Sequence, residues 1–134
     1  MDMTTYLLMR DRWGGSTSGD EDAIIDRSIT EIENSTITSI GSYAFAYCNS
    51  LVAVSFPAAT NINEYAFYGC SSLTTVSFPT LTNIGMNAFS GCAALTMVSF
   101  PAVTNIGQGA FNSCHTLATA NFPAVKSIGW YAFG

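Results

Sequence analysis

Apolar positions recur along the chain on two interleaved rhythms. Ile40, Ala44, Phe45, Cys48 and Leu51 step by 4, 1, 3 and 3 residues. That spacing brings side chains to one side of a short helical turn. Val54 and Phe56 then alternate around polar Ser55, the two-residue period of a strand. Pro57 follows at once. It has no N–H to donate and is predicted to end the strand's pairing. The unit returns every 22 residues without slipping: Ile40, Ile62, Ile84, Ile106 and Ile128 share one column. Phe45, Phe67, Phe89, Phe111 and Phe133 share another, each preceded by Ala, and Cys48, Cys70, Cys92 and Cys114 a third. Leu51, Leu73, Leu95 and Leu117 keep the same step, as do four Phe-Pro pairs beginning at Phe56, Phe78, Phe100 and Phe122. So many matched columns define a tandem repeat of one turn-plus-strand unit.

The frame extends backwards. Ile29, Ile32, Ile37 and Ile40 fill the columns of Leu51, Val54, Ala59 and Ile62, so the repeats start near Ser28. The last one runs to Gly134, in mid-repeat. Gly41, Gly85, Gly107 and Gly129 occupy a column in which Asn63 stands once. Gly and Asn are the residues most at ease at positive φ, so this column is predicted to be a left-handed turn position.

Charge separates a short first part from the repeats. The chain of 134 residues is 49% hydrophobic and only 10% charged, with a net charge of −5. Ordinary domains carry roughly 25% charged residues. Beyond Glu33 the only Asp, Glu, Lys or Arg are Glu64 and Lys126. Residues 1–13 place Met3, Tyr6, Leu7 and Trp13 on one face of a short helix or docking segment, which would pack on the repeats, dock on a partner or stay unfolded. Residues 14–27, opening with Gly-Gly-Ser-Thr-Ser-Gly, read as a flexible linker and entry. The repeats occupy 28–134. So few cations exclude nucleic acid as a partner, and the net negative charge excludes an electrostatic membrane anchor. Met1-Asp2-Met3 has no basic leader and no stretch approaches a spanning helix, so membrane insertion is not expected. The chain reads as leaderless, expected in a virion or in the cytoplasm before release rather than secreted through a signal peptide.

Leu-x-x-Val-x-Phe-Pro followed by Ile-Gly-x-x-Ala-Phe-x-x-Cys-x-x-Leu resembles the BspA-like (Treponema-type) leucine-rich repeat over residues 29–133. The resemblance implies an α/β repeat solenoid. It is right-handed, of about five turns, with a parallel β-sheet on one concave face and short helical or 3-10 turns on the other. Its members are mainly bacterial cell-surface and adhesion proteins, and similar repeats occur in phage proteins.

In such a stack each column becomes a ladder. The cysteines would stack one per turn, about 4.8 Å apart. That lies just inside the disulfide range, but in-register parallel geometry disfavours pairing. Buried thiols acting as small hydrophobes are expected instead. A linear stack cannot close around a tetrahedral metal, so no metal is expected. Asn61, Asn83 and Asn105, flanked by Ser39 and Ser127, are expected to hydrogen-bond along the stack. His115 lies beside Cys114, but adjacent residues on a turn diverge, and no carboxylate lies near to orient a base. No phosphate loop, zinc spacing or carboxylate pair is present, so neither a catalytic centre nor a cofactor is expected.

The outward positions carry the functional reading. Between the inward Leu, Val and Phe, the strand face presents Thr74, Thr75, Ser77, Thr96, Met97, Ser99, Thr119 and Asn121, an uncharged face suited to a protein or glycan. The helical side presents Tyr43, Tyr47, Tyr65, Tyr68, Trp130 and Tyr131, as contact residues or as half-buried packing. The expected function is non-enzymatic recognition or structure within a larger assembly, such as a phage tail or virion. Two alternatives remain. A surface adhesin fragment is one. The other is head-to-tail stacking into homo-oligomers, with Ile29, Ile32, Trp130, Tyr131 and Phe133 at the junction. Against stacking, Trp130 and Tyr131 could fold over the end as a cap.

Overall fold

The computed structural model describes residues 29–134. The expected segments 1–13 and 14–27, and Ser28, lie outside the described residues. The described residues make four complete coils and part of a fifth at 22 residues each.

Each coil contributes two short strands. The three-residue strands are β1 (Glu31–Glu33), β3 (Ala53–Ser55), β5 (Thr75–Ser77), β7 (Met97–Ser99) and β9 (Thr119–Asn121). The two-residue strands are β2 (Ser39–Ile40), β4 (Asn61–Ile62), β6 (Asn83–Ile84), β8 (Asn105–Ile106) and β10 (Ser127–Ile128). Every pairing is parallel and shifted by one whole repeat, as in Val54 opposite Val76 and Asn83 opposite Asn105. The single expected sheet is therefore two ladders on different sides of the coil. The even ladder runs unbroken through β2, β4, β6, β8 and β10. The odd ladder divides into β1-β3-β5 and β7-β9, leaving a seam with no strand pairing between β5 and β7.

The third side is not helical, and no helix forms among the described residues. The fold is a β-solenoid rather than the expected α/β one, and the hydrogen bonds give the reason. A helix uses every N–H within itself. Here alternate amides leave the coil. Ala44, Ala46 and Cys48 close local turns by donating to the carbonyls of Gly41, Tyr43 and Phe45 at 3.1, 3.2 and 3.2 Å. The amides between them reach forward. Tyr43, Phe45 and Tyr47 donate to Glu64, Ala66 and Tyr68 of the next coil at 3.1, 2.7 and 2.6 Å. The turn side is thus a third hydrogen-bonded seam between coils.

This alternation depends on left-handed residues at two columns. Tyr43, Tyr65, Asn87, Gly109 and Tyr131 have φ of 58, 58, 53, 64 and 56°. Tyr47, Gly69, Gly91 and Ser113 have φ of 61, 71, 78 and 61°. The glycine column expected to be left-handed is absent from both sets. Its glycines are required by crowding instead. A Cβ on Gly85 would lie 2.8 Å from the Asn63 carbonyl carbon, and one on Gly107 would lie 2.7 Å from the Gly85 carbonyl carbon and the Met86 nitrogen. At Gly85 and Gly107 the backbone of the preceding coil leaves room only for hydrogen, whereas at Asn63 the side chain is seated by donating to Ser39 Oγ and the Ile40 carbonyl.

The core fills the coil with stacked rows. Phe45, Phe67, Phe89, Phe111 and Phe133 stack at centroid spacings of 5.4, 5.3, 5.3 and 5.4 Å. Phe56, Phe78, Phe100 and Phe122 form a second row with Leu51, Leu73 and Leu95 beside it. Each buried Phe removes enough apolar area from water to contribute about 2–3 kcal/mol. The first coil has Asn34 where later ones have Phe, and Asn34 closes the corner through its side chain. Its Oδ1 accepts from the Thr36 and Ile37 amides, both at 2.9 Å.

Candidate functional site

Strands β1, β3 and β7 bury their central residue, β5 half-buries Val76 and β9 is exposed throughout, which fixes what the odd ladder shows to solvent. Val54 and Val98 turn inward, 2% and 1% exposed. All eight strand-face candidates lie outside: Thr74, Thr75 and Ser77 on and beside β5, Thr96, Met97 and Ser99 at β7, Thr119 and Asn121 on β9. Met97 is the most exposed apolar side chain on this face, at 58%. Internal bonds stiffen it, among them one between the Thr74 and Thr75 hydroxyls at 3.5 Å. Thr74 Oγ1 donates to the Val52 carbonyl at 3.3 Å, and Asn121 Nδ2 donates to Ser99 Oγ at 3.4 Å. The seam between β5 and β7 runs through its middle, flanked by Thr74 and Thr75 on one side and Thr96 and Met97 on the other. Val76 beneath the seam is only half-buried, unlike Val54 and Val98.

The other candidate junction residues fall in different environments. Ile32 is buried at 4% and Ile29 packs half-buried on the core. Trp130, Tyr131 and Phe133 are 79, 69 and 46% exposed. Phe133 continues the phenylalanine stack, whereas Trp130 and Tyr131 pack edge-on to each other at 6.5 Å. They do not close over the last coil, where Ile128 stays 52% exposed.

The polar columns form the ladders that the stack requires. Asn83 Nδ2 donates to Asn61 Oδ1, Asn105 Nδ2 to Asn83 Oδ1 and Ser127 Oγ to Asn105 Oδ1, each at 2.8 Å. Ser39 joins differently, as acceptor from Asn63 Nδ2 at 3.2 Å. The four cysteines are free thiols. They also have a polar role that their column alone did not reveal. Cys70, Cys92 and Cys114 donate through Sγ to the carbonyls of Phe45, Phe67 and Phe89 in the preceding coil, at 3.1, 3.3 and 3.1 Å. Burial pushes the Cys114 thiol up to about 11. Cys92 is raised well above the ordinary value, by burial first and then by the neighbouring Cys70 and Cys114. Thiols held protonated in this way are poor nucleophiles and poor metal ligands.

His115 is exposed, and no group of three or more His, Cys, Asp or Glu able to hold a metal occurs among the described residues. No helix among them is long and apolar enough to cross a membrane. The left-handed tyrosines are the feature sequence reasoning missed. Asn87 and Gly109 in the same column as Tyr43 and Tyr65 were the signal that could have revealed it.

The chain belongs to the BspA type leucine-rich repeat family, whose model matches residues 21–134 in 6 copies. No curated protein matches it significantly in sequence. Among solved structures it is similar to a leucine-rich repeat protein of T. pallidum, at 33% identity and a TM-score of 0.74, over 81% of this chain and 55% of that one. It is also similar to a leucine-rich cell surface protein of Faecalibacterium prausnitzii, at 29% identity and a TM-score of 0.70, over 79% of this chain and 36% of that one. A Bacteroides ovatus leucine-rich repeat protein matches at 28% identity and a TM-score of 0.60, over 75% and 33%. The chain thus spans between a third and just over half the length of these relatives.

Proposed function

We propose that the chain is a non-enzymatic recognition module whose odd-ladder face binds a protein partner, with the module carried by a larger assembly. One observation carries the reading: eight small or flexible uncharged side chains stand exposed on one face, at coil spacing, with Val76 and Val98 of β5 and β7 packed beneath them on the core. A protein partner can bury these eight positions with little desolvation cost, because none of them carries a charge to strip of water, the exposed Glu31 and Glu33 lying on β1 at the first end of the same ladder. Surface display is the setting that the F. prausnitzii cell surface relative supports. The test is an array of purified proteins and glycans probed with the chain and with Thr75→Lys/Met97→Lys/Thr119→Lys. Protein spots are expected to be lost in that variant and kept in Thr60→Lys, which lies outside the odd-ladder face. Retention by the triple variant, or binding confined to glycans, would overturn the reading.

A second reading rests on the last coil. Ile128 and Phe133 are 52 and 46% exposed, where their counterparts Ile106 and Phe111 are 2 and 1% exposed. Such a surface accepts one more coil, supplied by a second copy or by further repeats. Mass that grows with concentration, and stops growing in Trp130→Lys/Phe133→Lys, would support the copy.

A further inference from the structure

The turn side changes character along the stack. In the first two coils it carries Tyr43, Tyr47, Tyr65 and Tyr68, and in the next two the same columns hold Asn87, Ser90, Gly91, Gly109, Asn112 and Ser113. Three of the four tyrosines, Tyr43, Tyr47 and Tyr65, sit at φ near 60°. A bulky side chain costs about 1–3 kcal/mol in that conformation. Tyrosine therefore occupies positions where the fold itself favours glycine. The rings form one cluster. Tyr43 and Tyr65 stack at 4.8 Å with planes 9° apart, while Tyr68 meets Tyr65 and Tyr47 edge-on at 5.3 and 5.4 Å. Tyr47 is 50% exposed, and Gly69 lies so close to its ring that a Cβ there would be 3.0 Å from Cδ1.

A carboxylate adjoins this cluster in the sequence. Glu64 precedes Tyr65, is exposed, and lies in the outward column of Met86 and Trp130. The only Lys or Arg among the described residues is Lys126, in the last coil, and no ion pair joins it to Glu64. The chain thus sets an exposed negative charge, with no cationic partner among the described residues, one position before a ring of the cluster. That combination is complementary to a cation, and most of all to a planar one that can stack on a ring and accept a carboxylate in its fork.

We propose that Glu64 and the rings of Tyr47, Tyr65 and Tyr68 form a recognition site for an arginine side chain presented by a partner protein. This site is separate from the odd-ladder face and stands or falls independently of it. The test is an aromatic-ring NMR titration of the full chain with acetyl-Gly-Arg-Gly-amide, with the citrulline peptide as a neutral isostere. The tyrosine ring signals are expected to move with the arginine peptide and not with the citrulline one, and less so at high salt. Glu64→Gln is expected to weaken the response about tenfold, and Tyr47→Leu several-fold, with Tyr65→Phe close to the original. Thermal unfolding of each variant checks that the fold is kept. Equal responses to both peptides, no ring movement, or full retention in a folded Glu64→Gln would overturn the proposal.

Discussion

A methyl group on Gly107 would meet the backbone of the preceding coil at 2.7 Å, and nothing there can give way without moving a coil. Gly107→Ala is expected to destabilise the chain by about 1–3 kcal/mol, read from the urea midpoint. The opposite change has the opposite sign at a left-handed position. Ser113 has φ 61°, in a column where Gly69 and Gly91 already stand. Ser113→Gly is expected to gain up to about 1 kcal/mol, since relief of the left-handed strain exceeds the added freedom of the unfolded chain. The cysteines make a second residue-scale expectation. Folding raises Cys114 from 9.0 to about 11, and raises Cys92 in the same direction. Below the unfolded value both states keep the proton and the stability is fully present. Between about 9 and 11 the unfolded chain releases protons that the folded chain holds, so stability falls as pH rises. Urea midpoints should drop across that window, and less steeply in Cys92→Ala/Cys114→Ala.

Elements show where the sequence was legible and where it was not. The inward rows of Ile, Leu, Val and Phe could be read directly, because a fixed repeat forces equivalent residues into one column and hydrophobicity marks the column that is buried. The asparagine ladder followed for the same reason. The turn side did not follow. Its inward spacing of 4, 1, 3 and 3 fits a helical turn, and only the destination of each N–H separates a helix from successive turns. Those destinations lie in the neighbouring coil, which no single repeat displays. The Gly column misled similarly: hydrogen in place of a side chain signals either positive φ or close approach, and the sequence does not distinguish them. Of the candidate face, the outward alternation of Thr75, Ser77, Met97 and Ser99 was legible from the strand period. The seam was not, since β5 and β7 have the same kinds of residues as strands that pair. It has an observable consequence. Backbone amides of Thr96 and Met97 are expected to exchange hydrogen faster than those of Thr74 and Thr75, which donate to the Val52 carbonyl at 2.9 and 3.1 Å. Equal protection across the four would mean that the odd ladder is continuous.

The described residues form a stack in which three sides hold coil to coil, save at the β5–β7 seam, and the interior is apolar apart from Asn34 and Ser90. Such a stack is close to one-dimensional: each coil touches only its neighbours, so rows of side chains keep a fixed spacing along the axis. That regularity is what a recognition surface needs, because it positions side chains on strands rather than on mobile loops. It also gives each side a surface of its own character. The odd-ladder face is uncharged and small from β3 to β9, with Glu31 and Glu33 at its first end, the even-ladder side is tied up in the asparagine ladder, and the turn side is aromatic in its first two coils and again at Trp130 and Tyr131. The claim that most needs testing is that partners meet the odd-ladder face. The most direct measurement is site-specific photo-cross-linking, with benzoylphenylalanine placed at Met97 in one sample and at Lys126 in another, each mixed with the same array of purified proteins. A cross-linked partner from position 97 and none from position 126 is the expected result. Cross-linking from position 126 alone, or equally from both, would contradict the assignment of the odd-ladder face as the recognition surface.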